Sequence, residues 1–339
     1  MTLHYIDAAF RLPPQEKQAL IEGARELEKM PDAISLTSGL ARKIFKTPEG
    51  TFIFTQQKDG RPLGHGTCKI AARAPAVDGS KVHAVMKMVL DSPEKEGIFD
   101  QEVGAWEKCA LFNVGLPLYG YTKAETRTGK QKGYMLTEQA ETDLFCQIKS
   151  RGYFNAEAIR HRAALQITEK VKTMHDADLV HCDIKPENIL YLDGKYYMTD
   201  FGFTRHVDDK QKLRGTVPYL APELASHPIN QRRLGSKACR ITNSLASDAW
   251  SLGCVLSALY HPKQLPLLHS SIFNYIKEWD QLLFISSIEQ DLIDELIQRH
   301  LIAAPPNVQQ AIRGLLMVNP EERLSVAEAY ELLQQPCHL

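Results

Sequence analysis

An α+β fold built in two parts is what this sequence predicts, and three observations carry the prediction. Strand-like segments, alternating in polarity and rich in β-branched and aromatic residues, crowd the stretch from Thr51 to Glu138 and are broken by a single helical segment. From Glu141 onward the hydrophobic period lengthens to that of helices. The 339 residues, 44% hydrophobic and 24% charged, are enough to bury two separate cores.

Taken in order, Pro14 to Met30 reads as a helix, with Leu20, Ala24, Leu27 and Met30 forming one apolar stripe. Residues 1–50 are therefore expected as an N-terminal helical extension packed on the small part, with a docking or regulatory helix as the alternative. Residues 51–140 form the small part: five strands at Thr51–Gln56, Thr67–Ala72, Val82–Leu90, Leu116–Thr122 and Gly133–Glu138, with a helix near Ile98–Phe112. Residues 141–335 form the larger, mostly helical part, with amphipathic stretches at Ala156–His175, Ser247–Tyr260, Ile288–His300 and Val308–Val318. Its least regular region is Leu224–Ser244, where Pro228 and Gly235 accompany Arg232, Arg233, Lys237 and Arg240. This basic segment reads either as a solvated loop or as a docking patch for an acidic or polyanionic partner.

Composition narrows the function classes. A formal net charge of -1 gives no global field to hold nucleic acid or an anionic membrane, so no nucleic-acid partner is expected. Seven cysteines, Cys68, Cys109, Cys146, Cys182, Cys239, Cys254 and Cys337, include no Cys-x-x-Cys pair, which fits a reducing compartment. The N-terminus lacks the basic-then-apolar pattern of a cleaved signal, and no apolar run reaches the roughly 18 residues of a membrane span. A soluble, cytoplasmic protein is the expectation.

The chemistry concentrates in Leu179-Val-His-Cys-Asp-Ile-Lys-Pro-Glu-Asn-Ile-Leu-Tyr191 and Met198-Thr-Asp-Phe-Gly202. Asp183 can accept a hydroxyl proton, while Asn188 and Asp200 offer the hard oxygen ligands that Mg²⁺ prefers. Aliphatic runs flank both clusters, so these residues belong in tight loops at strand ends. Upstream, Gly64 and Gly66 in Leu63-Gly-His-Gly-Thr-Cys-Lys-Ile70 would let backbone approach phosphate oxygens without Cβ clashes. Lys87 lies in an alternating apolar strand, which sends its side chain to one face. On the following helix, Glu102 and Glu107 are about 500° apart in rotation, so only one of them can face a given lysine.

In their order, His181-Cys-Asp183, Asp200-Phe-Gly202 and Ala221-Pro-Glu223 resemble the eukaryotic-type protein kinases, over roughly Thr51 to Gln335. The resemblance implies a bilobal kinase fold with a five-stranded antiparallel small lobe, and it implies ATP and Mg²⁺ as cofactors, with Mn²⁺ able to substitute. Asp183 would then be the catalytic base and Lys185 a stabiliser of the transferring phosphoryl group, with Asn188 and Asp200 holding metal. Lys87 would bridge the α- and β-phosphates, held by Glu102 in preference to Glu107. Thr137 would sit at the back of the adenine pocket, Glu138 to Ala140 would form the hinge, Asp143 would lie near the ribose, and Val85 joins the cofactor-binding set.

The Asp-x-Lys-x-x-Asn spacing from Asp183 and the pair Gly215-Thr216 are similar to serine/threonine kinases, which implies a protein substrate with a serine or threonine acceptor. Asp248 resembles the carboxylate that anchors the catalytic loop, and Arg323 the partner of Glu223. Departures from the pattern are equally specific. The third glycine of the phosphate loop is absent, with Lys69 near its place. Cys182 replaces the usual arginine that binds an activation-loop phosphate, and Lys212 stands where a phosphorylatable residue is usual. These losses predict a kinase independent of activation-loop phosphorylation. A silent binding scaffold and a kinase-fold transferase acting on a lipid or small molecule are the competing readings. The compact core also resembles bacterial effector kinases, which would allow secretion into a host cell without a cleaved signal.

Overall fold

The computed structural model describes residues 4–6, 43–46, 52–55, 64–65, 69–75, 82–125, 129–150, 152–209, 214–234, 242–261 and 277–335. Two compact units emerge, Met1–Leu111 with Leu116–Ala140, and Phe112–Gly115 with Glu141–Leu339. The expected helix at Pro14–Met30 lies outside the described residues, as do Gly66, Lys212, Lys237 and Arg240.

In the first unit, β1 (His4–Ile6), β2 (Lys43–Lys46) and β3 (Phe52–Thr55) form a three-stranded antiparallel sheet. A second, five-stranded antiparallel sheet is built from β4 (Gly64–His65), β5 (Lys69–Pro75), β6 (Val82–Val89), β7 (Leu118–Glu125) and β8 (Gln131–Glu138), in the order β4-β5-β6-β8-β7. This corrects one expectation. The Thr51–Gln56 strand exists as β3, but it pairs in the smaller sheet, and the fifth place in the larger sheet goes to Gly64–His65. Alternation marks a segment as strand without naming its partner, and partner choice rests on long-range register.

Between β6 and β7 runs α1 (Pro93–Leu111), which starts earlier than its apolar pattern suggested. Ser92 opens it, with its hydroxyl accepting from the Lys95 amide at 3.3 Å and its carbonyl from Glu96 at 3.1 Å. Glu94 and Glu96 in the first turn suit the positive end of the helix dipole. The helix buries Phe99, Glu102, Val103, Trp106 and Cys109, and the Trp106 indole donates to the Leu116 carbonyl at 2.7 Å. Phe99 lies so close to β8 that a Cβ at Gly133 would overlap its ring. Glycine at 133 is what allows α1 to seat on the sheet.

The second unit begins with Phe112–Gly115, a short piece of chain whose sequence neighbours on both sides belong to the first unit. The Val114 carbonyl accepts from Met198 N–H at 2.8 Å, Gly115 forms a parallel bridge with Met198, and the Lys170 ammonium donates to the Asn113 carbonyl at 2.7 Å. There follow β9 (Thr142–Asp143), α2 (Leu144–Lys149), α3 (Glu157–Asp176), β10 (Leu179–Val180), β11 (Ile189–Leu192), β12 (Lys195–Met198) and β13 (Arg205–His206). Strands pair as β12-β11-β9 and β10-β13, which brings the ends of the loops between them together. The helices α4 (Pro222–Leu234), α5 (Leu245–Tyr260), α6 (Glu278–Ser286), α7 (Gln290–His300), α8 (Pro306–Leu315) and α9 (Val326–Gln334) complete it. No helix among the described residues is long and apolar enough to cross a membrane.

Leu224–Ser244 was expected to be irregular, but its first half is helical as part of α4, with Pro228 inside. A proline forfeits one backbone hydrogen bond, and packing of α4 against α6 overrides that local penalty. Helix α5 is apolar on all sides, thirteen of its sixteen residues being buried. It starts at a capping box in which Ser244 and Ser247 bond each other's backbone. Arg323 locks the surrounding helices. Its guanidinium meets the Glu223 carboxylate at 2.9 and 3.0 Å and donates to the carbonyls of Ala246, Met317 and Val318, so all five of its N–H groups have acceptors.

Gly133→Ala is expected to destabilise the protein by about 1–3 kcal/mol through overpacking against Phe99. Gly104→Ala, in the same α1 but with open space around the added methyl, should stabilise by roughly 0.5–1 kcal/mol. Urea midpoints at unchanged slope measure both.

Candidate active site

The loop after β10 carries the polar cluster of the second unit, and its conformation is imposed by Asp248 of α5. This carboxylate, 2% exposed, accepts from the His181 amide at 2.6 Å and from the Cys182 amide at 3.0 Å. The His175 ring approaches the same carboxylate at 3.4 Å. Cys182 is held at φ 69°, a left-handed conformation that costs a non-glycine residue of order 1 kcal/mol or more. Two charge-assisted bonds from adjacent amides offset that strain.

One residue earlier, the His181 ring is pinned in a single tautomer. Its Nδ1 faces the Asp183 amide at 3.3 Å, and an amide can only donate; its Nε2 faces the Thr199 carbonyl at 3.0 Å, which can only accept. The neutral ring with its proton on Nε2 satisfies both. His181 thereby joins the Asp183 loop to the strand end that carries Asp200.

Asp183, 6% exposed, sits in a closed set of hydrogen bonds. The Lys185 ammonium donates to Asp183 Oδ2 at 2.7 Å and to Thr216 Oγ1 at 2.8 Å, and the Thr216 hydroxyl donates to Asp183 Oδ1 at 2.7 Å. Asn188 completes the cluster through Nδ2, which donates to the Asp183 carbonyl at 2.9 Å and to Oδ2 at 3.2 Å. Gly215, at φ 136°, lets the chain deliver Thr216; a Cβ there would lie 2.7 Å from Leu220 Cδ2 and 3.2 Å from the Cys182 carbonyl. The result is a carboxylate, an ammonium and a hydroxyl in mutual contact, an arrangement able to take a proton from an alcohol while placing positive charge beside it.

Asp200 is in the left-handed region, at φ 62°, ahead of a short 3-10 turn in which Phe201 is fully buried. The Asn188 amide nitrogen is committed to Asp183, which leaves its carbonyl oxygen as the atom available to a cation. Among the described residues no group of three or more His, Cys, Asp or Glu side chains could hold a metal alone. The Asn188 amide oxygen and the Asp200 carboxylate are oxygen donors of the type that hard divalent cations take.

In the first unit, Lys87 lies mid-strand on β6, opposite Ile70 on β5 and Tyr134 on β8. Burial lowers its pKa below the ordinary lysine value, and the charge of Lys132 lowers it further. Lys132 precedes Tyr134 by two positions on β8, so strand alternation puts it on the face that Lys87 occupies. The sequence reading missed Lys132, although the strand pattern was legible. Two like charges thus share one sheet face. Val85 pairs with Ala72 and Leu136 two positions before Lys87, and Gly64 pairs with Ala71 on β4.

On α1, Glu102 is fully buried while Glu107 is exposed. Thr137 is buried and donates to the Pro117 carbonyl at 2.8 Å; Glu138 meets the Tyr119 hydroxyl at 3.5 Å, and Ala140 is half-buried at the end of the unit. Asp143 caps α2, accepting from the Cys146 amide at 2.7 Å and from its thiol at 3.4 Å, so both carboxylate oxygens are engaged. Of the basic segment, Arg232 lies over the Trp279 ring at 5.0 Å.

Lys132→Ala is expected to raise the Lys87 pKa towards, but not to, its ordinary value, since burial persists. The sign also fixes a stability effect. With its folded pKa depressed, protonated Lys87 costs the fold stability at neutral pH, and that cost disappears as pH rises through the folded value towards the unfolded one. An NMR titration of labelled lysine reads the shift directly.

The sequence matches the protein kinase domain family across residues 58–336. The dual specificity protein kinase Ttk of Danio rerio is 29% identical over 214 residues, which cover 60% of this chain and 19% of that protein. A calcium/calmodulin-dependent protein kinase type II of Schizosaccharomyces pombe is 24% identical over 316 residues, covering 79% and 55%. The serine/threonine-protein kinase PKH2 of Candida albicans is 29% identical over 314 residues, covering 86% and 30%. The chain thus spans little more than half the length of these relatives at most. With most of its residues matched, and with a five-stranded antiparallel sheet and a larger helical part, this chain belongs to the protein kinase domain family.

Proposed function

We propose that this chain is an ATP-dependent protein serine/threonine kinase that transfers the γ-phosphoryl group of Mg-ATP to a protein hydroxyl without needing phosphorylation of its own activation segment. The observation that carries this reading is the closed contact of Asp183, Lys185 and Thr216, because it holds a base and a cation where an incoming alcohol needs both. In this role Asp183 orients the acceptor hydroxyl and takes its proton, and Lys185 balances charge on the transferring group. Bound Mg²⁺, or Mn²⁺, would neutralise phosphate charge, with Asn188 and Asp200 as its protein ligands.

On the nucleotide side, Lys87 would meet the α- and β-phosphates, and their negative charge would relieve its repulsion from Lys132. Glu102 rather than Glu107 would steady Lys87, since only Glu102 belongs to the buried face of α1. Gly64 and Gly66 would approach the phosphates, Val85 and Thr137 would border the adenine, and the backbone of Glu138 to Ala140 would bond it. Asp143 would share its carboxylate between the ribose and the α2 cap.

Independence from activation-segment phosphorylation is supported by Cys182. The side chain is 4% exposed, and burial pushes its thiol pKa well up, with Asp248 adding to the effect. A neutral thiol of this kind cannot bind phosphate as an arginine does. A cytoplasmic setting is inferred from the sequence, whose seven cysteines include no Cys-x-x-Cys pair. Exposed Arg232 is the described part of the basic cluster that we assign to an acidic substrate segment or polyanionic partner.

Radiolabel transfer from γ-labelled ATP with Mg²⁺ to a generic basic protein, followed by phosphoamino-acid analysis, tests the reading. Label should appear on serine or threonine, and Asp183→Ala should cut the rate by roughly 10²- to 10⁴-fold while ATP binding persists. Thr216→Ala should cost a smaller factor, roughly 5- to 30-fold, as one hydrogen bond to the base is lost. ATP binding without any transfer would favour a binding scaffold instead.

A further inference from the structure

Asn243, 5% exposed, lies immediately before the Ser244 cap of α5 and makes three hydrogen bonds with one carboxamide. Its Oδ1 accepts from the Arg214 amide at 3.1 Å and from the Arg205 guanidinium at 3.0 Å, and its Nδ2 donates to the Arg214 carbonyl at 2.8 Å. A side chain that both accepts from and donates to one residue's main chain fixes that residue in two directions, as a neighbouring strand would. The Arg214 guanidinium also stacks over the Phe203 ring at 5.0 Å. Arg205, 4% exposed, belongs to β13, which pairs with β10 just ahead of the catalytic loop. Two residues beyond Arg214, Thr216 reaches Asp183.

We propose that Asn243 is a positioning residue: its carboxamide latches the segment that carries Thr216 to the start of α5 and to Arg205, keeping Thr216 on Asp183 without any added phosphate. The inference rests on the kinase reading above and deepens it. Asp248 on α5 holds the catalytic loop, and Asn243, just ahead of the α5 cap, holds the segment that brings Thr216 to Asp183. The latch is uncharged, and the Arg205 cation bonds to it from a buried position, so the bond needs no modification to form.

The test combines hydrogen–deuterium exchange with steady-state kinetics on protein shown by mass spectrometry to carry no phosphate on residues 204–220. In Asn243→Ala, exchange across 214–220 should rise at least tenfold while α3 and α5 keep their protection, and kcat should fall roughly 5- to 30-fold with the KM for ATP unchanged. Asn243→Asp keeps the acceptor for Arg205 and for the Arg214 amide but loses the donor to the Arg214 carbonyl, so it should fall between wild type and the alanine variant. Wild-type exchange and kcat in the alanine variant would overturn the latch, as would a loss of protection spread evenly over α3 and α5. Faster exchange confined to 214–220, in a protein whose wild type transfers no phosphate, would uphold the latch and sink the kinase reading alone.

Discussion

The pair of backbone amides held by Asp248 is the interaction on which the rest of the site depends. A carboxylate buried to this degree is costly to desolvate, and the cost is met only because His181 and Cys182 both donate to it. Removing either side would leave buried polar groups unpaired, at roughly 1–3 kcal/mol each. The carboxylate stays fixed because α5 is packed on every side, so the helix acts as a rigid post rather than a surface element. The left-handed turn at Cys182, the single tautomer of His181 and the direction of Asp183 all follow from that post.

Arg323 does for the surrounding helices what Asp248 does for the loop. An ion pair in this position adds little net stability on desolvation grounds, yet all five guanidinium donors are matched, and such a fully satisfied group tolerates no other arrangement of its neighbours. Its contribution is to specify where α4 begins relative to α5. Because α4 follows directly on the segment carrying Thr216, that geometry also bears on the site.

What the sequence revealed, and what it hid, divides along a physical line. The meeting of Asp183, Lys185 and Asn188 was legible in the sequence, because all three lie within six residues of one short loop. Helices α3, α7 and α8 were legible from local periodicity for the same reason, and α5 from its apolar run, although α5 is buried on all sides rather than amphipathic. Lys132, Arg205 and Asn243 were not, since a lysine on a strand or an asparagine before a helix acquires meaning only from residues far away in sequence. The partner of β3 was likewise a matter of long-range pairing. Helix α9 shows a different kind of miss: its capping box, Ser325 with Glu328, was present in the sequence and announces a helix start, but the helix is short enough to hide in a periodicity scan.

The four residues from Phe112 to Gly115 carry a consequence for how the molecule is made. They leave the ribosome after β4, β5 and β6 but before β7 and β8, and their hydrogen-bond partners, Met198 and Lys170, are synthesised long afterwards. A nascent chain that has completed β8 therefore still holds Val114 without its partner strand. Cutting the gene between the two units would strand this peptide on the wrong fragment, so the halves are expected to be inseparable by any single break in the polypeptide.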